Sequence, residues 1–443
     1  MAGGIFYSQN KTRPGAYINF KKAGEEINLN SSRGIVAVAL ELDWGEEDTL
    51  INVTPSDMTT GKSLGKIGYL TSDDNAKILN MILTNATLAK VYRLNKGGAK
   101  ATVTTGNLTA IAKYSGTFGN KVAILITSDD PVFEVNTYAD GYLVDTQRVT
   151  RVQDLDDNEF VTFSGEGALE EISTSVLLTG GTNGTVTATT GYNAFFELLR
   201  MARWQVIAIC NNAETINPLM PAFIHDMRDN EGKYVQAVVA NYDDADYEGI
   251  INNVNGAVIN GKTITAVEFT AYVAGMTAGA SAVQSNTGKV IEGATQIIGQ
   301  LSNDEIISGL KTGKFILSAN QDGAIKVEQD INSLHNYADD LDYNFTKNRV
   351  IRTLDEIGTS IQSIWENTYL GKVSNNADGR DLFKASITTY LQELQNIGAI
   401  QEFGGAADVD VQAGENIDAV EASIRVKPVD AMEFLYLTVN VVN

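Results

Sequence analysis

The chain has 443 residues, 43% hydrophobic and 20% charged, a globular profile too long for one ordinary core. Asp and Glu number 55 against 33 Lys and Arg, giving a net charge of −22, which argues against nucleic acid or an anionic membrane as main partner. A single cysteine excludes an internal disulfide, and with two histidines it excludes a Cys/His zinc cluster.

Met1 to Asn19 reads as an extended arm. Arg13-Pro14-Gly15 forces a turn or extended backbone, and Tyr17, Ile18 and Phe20 can form a short strand beyond it. The opening MAGGIFYSQNKTR lacks the apolar core of a signal peptide. No uncharged apolar run approaches the ~20 residues of a membrane span. Assembly in the cytoplasm, with exit by lysis or within a particle, is the expectation.

Gly34 to Leu42 is a strand rich in β-branched residues, Asn75 to Leu83 a helix and Ala89 to Leu94 a strand, a β–α–β rhythm. From Lys96 the composition shifts to Thr, Gly and Val. Short runs such as Val122 to Ile126 and Phe160 to Phe163 alternate with turn signals at Asp140-Gly141, Gly180-Gly181 and Asn183-Gly184, a small all-β unit. The α/β rhythm then resumes. Phe195 to Ala202 is helical and Trp204 to Cys210 a buried strand, its cysteine an inert thiol. Pro218 to Asp229 is a helix, Val235 to Ala240 a strand, and Thr265 to Glu268 a capping box opening a helix through Ala280. Strands near Phe315 to Leu317 and Ile325 to Val327 follow.

The last quarter begins with Val350, Leu354, Ile357, Ile361, Ile364 and Trp365 on one helix face. A polar loop with Asn375, Asn376, Asp378 and Gly379 leads to a second helix carrying Leu382, Phe383, Ile387, Tyr390, Leu391 and Leu394, ended by Gly398. Val420, Ala422, Ile424 and Val426 alternate with polar residues, a half-buried strand stopped by Pro428. Finally Phe434 to Val442 reads as a strand with Leu435, Leu437, Val439 and Val441 on one face and Phe434, Tyr436, Thr438 and Asn440 on the other. Such a strand must be paired or it is an aggregation hazard.

Two catalytic signatures match by letter. Gly256 to Thr263 satisfies the P-loop pattern, but its interior is the apolar run Ala257-Val258-Ile259, and Asn260-Gly261 is a hairpin signal, so strand–turn–strand is the better account. Gly61-Lys62-Ser63-Leu64-Gly65 satisfies the nucleophile-elbow pattern, yet Ser56 to Thr60 before it is loop chemistry, and nothing links His225 or His335 to Ser63. The acidic groups Asp243-Asp244-Asp246 and Asp339-Asp340-Asp342 read as solvated loops or helix-start charge rather than metal ligands. No catalytic, cofactor or metal site is assigned. The rival readings are an α/β nucleotide-binding hydrolase and a monomeric ligand-binding module.

The run NRVIRTLDEIGTSIQSIWENTYLGKVSNNADGRDLFKASITTYLQELQNIGAIQEF, followed by SIRVKPVDAMEFLYLTVNVV, resembles the C-terminal domain of contractile-tail sheath proteins of myophages, phage-tail-like bacteriocins and related injection machines. RPGAYINF at Arg13 resembles that family's N-terminal arm, AIAKYSGTFGNKVAILI at Ala110 the start of its inserted β domain, and AYVAGMTAGA at Ala271 a helix of its central domain.

The fold expected is a central α/β domain (21–95 and 191–338) with an inserted small all-β domain (96–190). To these are added a C-terminal α+β domain of two helices and a sheet (339–443), an N-terminal arm (1–20) and a terminal strand arm. The resemblance implies a structural subunit, not an enzyme, needing no cofactor. It stacks as sixfold rings around a tail tube protein, between baseplate and tail terminator, in a virion tail or tail-like particle. Inter-subunit contacts would be made by Arg13, Pro14, Gly15, Tyr17, Ile18 and Phe20 in one arm and Phe434, Leu435, Tyr436, Leu437, Val439 and Val441 in the other.

Overall fold

The computed structural model describes residues 2–4, 15–17, 33–129, 131–337 and 341–441. The first 32 residues are a separate unit, in which β1 (Ala2–Gly4) pairs in parallel with β2 (Gly15–Tyr17). Of the N-terminal arm residues, Arg13, Pro14, Ile18 and Phe20 lie outside the described residues.

The second unit opens with β3 (Ile35–Leu40), β4 (Leu50–Val53), α1 (Pro55–Thr60), α2 (Ser63–Ile67), α3 (Lys77–Leu83) and β5 (Leu88–Arg93). Seven strands follow: β6 (Thr102–Thr105), β7 (Leu108–Ala112), β8 (Val122–Asp129), β9 (Val132–Ala139), β10 (Tyr142–Val149), β11 (Val161–Ser164) and β12 (Ile172–Leu177). Next come α4 (Ala188–Met201), β13 (Val206–Ala208), α5 (Ala213–Ile216), α6 (Met220–His225), β14 (Gln236–Ala240), β15 (Ile250–Asn253), β16 (Gly256–Ile259) and β17 (Lys262–Ile264). They are followed by α7 (Ala266–Gly279), β18 (Ala294–Ile298), α8 (Asn303–Lys311), β19 (Lys314–Phe315), β20 (Leu317–Ala319) and β21 (Ile325–Val327). The C-terminal part holds α9 (Asn348–Ile364), α10 (Ala377–Asn396), β22 (Ile400–Gln401), β23 (Val409–Ala413), β24 (Val420–Ile424) and β25 (Lys427–Pro428).

The main sheet has the order β19-β15-β14-β13-β3-β5-β4, parallel except for β4. Strands from before and after the β6–β12 segment therefore share one sheet, joined where Ala37 on β3 sits opposite Ile207 on β13. Every residue of β3 is buried, as a parallel sheet covered on both faces requires. Val36 and Val38 pack toward α3 and α7, while Ala37 and Ala39 pack toward α4 and α6. The Thr265 cap is formed, with Thr265 N–H donating to Glu268 Oε2 at 2.9 Å and the Thr265 hydroxyl accepting from Glu268 N–H. Gly275 and Gly279 let α7 lie against the end of α3. A Cβ at either would stand 2.4 Å from the Ile82 carbonyl oxygen or 2.0 Å from that of Asn85.

The inserted strands form two sheets, β10-β9-β8-β12 and β11-β7-β6, around Phe118, Ile124, Val135, Phe160 and Val161. Trp44, from the β3–β4 loop, belongs to that core, 5.2 Å from the Tyr114 ring and 5.4 Å from Phe118. Its neighbour Arg93 is fully buried and donates to the carbonyls of Gly45 (2.9 Å) and Ser115 (2.8 Å). Lys96 and Thr185 face each other in an antiparallel bridge at the root of the unit.

Four local readings change. Pro218 to Asp229 is not one helix but a 3₁₀ turn, α6 and a π turn over Asp226–Asn230. Asp378 and Gly379 lie in the first turn of α10, because the Asn376 side chain accepts from Gly379 N–H and starts the helix early. The strand at Val420 is β24, but none of its residues is buried, and among the described residues β23 is its only strand partner. Phe434 to Val441 forms no strand at all.

Candidate assembly interface

The two catalytic signatures fold as structure. Gly256 to Ile264 is the β16–β17 hairpin, with Asn260 at φ 49° and Gly261 at φ 77°, the left-handed pair that a tight type I′ turn needs. Lys262 points to Asp74 Oδ1 at 2.5 Å. Ser63 opens the five-residue α2 directly after α1 and its turn, so no strand delivers it, and its hydroxyl is buried. His225 stacks on the Tyr247 ring at 3.7 Å, and His335 Nδ1 lies 2.9 Å from the Ser333 carbonyl. Asp246 Oδ1 accepts from the backbone N–H groups of His335 and Asn336. Among the described residues no group of three or more His, Cys, Asp or Glu is placed to hold a metal ion.

The unusual region is the C-terminal tail. Val429 N–H donates to the Ala399 carbonyl at 3.0 Å, the last backbone tie to the domain among the described residues. Beyond it, Phe434, Leu435, Tyr436, Leu437, Val439 and Val441 are each more than two-thirds exposed. A face of Leu435, Leu437, Val439 and Val441 is expected to pack on the two helices of its own or a neighbouring domain, and in this chain it is not packed on its own domain's. The alternating pattern is present, but a strand needs a neighbouring strand to bond, and among the described residues none pairs with this segment.

The root of this tail is held firmly. Glu433 Oε1 accepts from the Thr287 hydroxyl at 2.7 Å, and Oε2 accepts from Gln329 Nε2 at 2.6 Å and from Lys347 Nζ. Burial pushes the Glu433 carboxyl up, but the bonds from Gln329, Lys347 and Thr287 outweigh it and hold the group below the usual carboxylate range. Lys347 is lowered by burial and raised more strongly by Glu433 and Tyr343. Sequence reasoning missed this site because its members lie 86 to 146 residues from Glu433. The only local hint was one acidic residue ahead of an apolar run.

The same joint carries further buried ions on α9. Arg228 clamps Asp355 with Nη1 at 3.1 Å and Nη2 at 2.8 Å, and Arg33 lies 3.6 Å from Glu356. Farther along, a cleft of about 450 Å³ opens between the α9–α10 connection and β24, with Trp365, Tyr369, Phe383 and the fully exposed Ile417 on its walls. Both outer edges of the β23–β24 pair lack a strand partner among the described residues.

A packed body with an apolar, strand-patterned tail left exposed, and with an open two-stranded edge, has the features of an assembly subunit. Family comparisons say which kind. The phage tail sheath C-terminal domain matches residues 340–442, the tail sheath central domain 185–333, the tail sheath beta-sandwich domain 96–183, and the N-terminal region of domain III of tail sheath protein Gp18 33–94. The sheath tail protein of Desulfitobacterium hafniense is 37% identical, with TM-score 0.81 over 94% of this chain and 97% of its own. The sheath tail protein Lin1278 of Listeria innocua is 31% identical, with TM-score 0.80 over 93% and 94%. The phage-like element PBSX protein XkdK of Bacillus subtilis is 31% identical over 100% of both chains. The chain belongs to the phage tail sheath family.

Proposed function

We propose that this chain is the repeating subunit of a sheath that polymerises around a tail tube and contracts by rigid-body rearrangement, driving the tube through a target envelope. The observation that carries the reading is the exposed tail from Phe434 to Val441, apolar and unpaired on a well-packed body. Edge-strand addition to a neighbour gives such a segment its missing hydrogen bonds. The N-terminal arm, with Arg13, Pro14, Gly15, Tyr17, Ile18 and Phe20, joins the same lacing. Subunits form sixfold rings, as the family resemblance implies, and head-to-tail contacts that do not close on themselves propagate these into a helical tube. The tail tube protein, the baseplate and the tail terminator are the other partners, within a phage tail or tail-like particle assembled in the host cytoplasm.

The work of contraction comes from repacking protein surfaces, so no cofactor and no bond chemistry enter. The domain division at 20/21, 95/96, 190/191 and 338/339 belongs to the same proposal. Negative-stain microscopy of the full chain beside a chain lacking Phe434 to Asn443 tests it. Tubes from the first and folded monomers from the second are the expected pair. Normal tubes from the truncated chain would sink the lacing.

A further inference from the structure

We infer that Glu433 is the positioning residue that fixes where, and in which register, the C-terminal arm leaves the subunit; this rests on the reading of Phe434 to Val441 as an exchanged arm. Met432 is fully exposed and Phe434 is 68% exposed, yet between them the Glu433 side chain is only 6% exposed. One residue in an otherwise outward segment turns in.

What it reaches is specific. Thr287 and Gln329 flank the β18–β21 region, and Lys347 immediately precedes α9, so one carboxylate ties the tail to two parts of the body at once. Thr287 Oγ also accepts from Asp330 N–H at 2.8 Å, and the Asp330 carboxylate takes Arg352 Nη2 at 2.9 Å. The anchor thus continues into a second buried ion pair. Asp430, Arg349 and Tyr343 are the other ionisable groups near it.

An apolar residue would fill this site with less desolvation cost. A carboxylate with three donors does something an apolar plug does not: its bonds are directional, so the backbone cannot slide past it. Sliding matters here. Slipping a strand by one residue turns every side chain to the other face. With Glu433 fixed, Leu435, Leu437, Val439 and Val441 share one face of the arm. A slipped root would present Phe434, Tyr436, Thr438 and Asn440 to the neighbour instead.

The test uses the full-length chain, Glu433→Gln, the double substitution Glu433→Leu with Lys347→Met, and the chain truncated after Glu433. The double removes both charges together, so no buried ion is orphaned. Both substituted chains are expected to melt as cooperatively as wild type. Amide exchange over 429–433 is expected to speed up by about tenfold or more through local opening. Tubes are expected to be fewer and irregular in axial spacing, with Glu433→Gln the milder. Wild-type exchange in Glu433→Gln, or tubes of wild-type number and spacing from the double, overturns the anchor. If the truncated chain makes no tubes while the double makes normal ones, the anchor falls and the lacing stands. If the truncated chain makes normal tubes, both fall.

Discussion

Arg352 and Asp330 form an ion pair with no access to water: Nη2 meets Oδ2 at 2.9 Å, and the two side chains are 0% and 1% exposed. Asp330 also accepts from Asn286 N–H and Asn348 Nδ2, both at 2.9 Å, so its charge is fully engaged. The pair joins α9 to the segment after β21.

Removing one partner strands the other. Arg352→Met is expected to cost roughly 3–5 kcal/mol, the usual toll for a buried carboxylate left without its cation. Arg352→Lys is expected to recover part of the loss, because the bonds to Asp330 and to the Gln284 carbonyl at 2.6 Å both come from Nη2, one nitrogen whose place an ammonium can approach. Urea denaturation of the two variants measures both effects.

Excising the inserted strands has a sharper requirement than their turn-rich sequence suggests. A cut from Lys96 to Thr190 removes the first turn of α4, which begins at Ala188, whereas Lys96 and Thr185 already face each other and can be bridged by a short linker. Even so, Trp44 loses its aromatic partners and Arg93 loses the Ser115 carbonyl. The 97–184 excision is expected to melt well below wild type with Trp44 and Arg93 retained, and to recover when both are replaced by Gln. An equal melting temperature with and without those replacements would refute the account.

Side chains of the tail act unequally. Thr438→Ala is expected to be silent in both melting and assembly. Val439→Pro is expected to leave monomer melting unchanged, since the residue touches no core, and to reduce tube yield by removing a backbone donor. Circular dichroism and particle counts from micrographs check the pair.

Acid is expected to release the root of the tail before the main sheet. The Glu433 carboxyl titrates lower in the folded chain than when unfolded, so its stabilisation is full above the unfolded value and fades as pH falls through the folded one. The window lies below about pH 4.3, the ordinary glutamate value. Asp430, raised by burial, titrates the opposite way and supplies no loosening there. Limited pepsin digestion over falling pH is expected to clip 429–441 while far-ultraviolet dichroism holds. Clipping of the same segment by a neutral protease already at pH 6 would contradict the assignment.

The sheet was legible because its strands are β-branched runs that must be buried on both faces, as β3 and β14 are. The Thr265 box was legible because capping is local. The same S-x-x-E spacing at Ser302 and Glu305 opens α8 and was overlooked, the information being in plain view. β15 escaped for a different reason. Asn252 and Asn253 look like loop residues, but the fold buries them by spending their amides on the carbonyls of Tyr242, Asn255 and Ala266. Glu433 was beyond reach, since nothing near it in sequence foretells Thr287, Gln329 or Lys347. The tail carried a true strand pattern with no strand to join, and pattern alone does not say in which molecule the partner lies.

Cys210 sits at the end of β13 against the Thr270 hydroxyl, and burial pushes its thiol up to about 12. The only native sulfhydryl is thus expected to be unreactive toward maleimides and air at neutral pH. The wild-type chain already serves as a chemically blank background. A cysteine placed at Leu437 and another on the β24 edge would report by oxidative crosslinking alone whether the two meet between subunits, and whether they stay joined once a sheath has shortened.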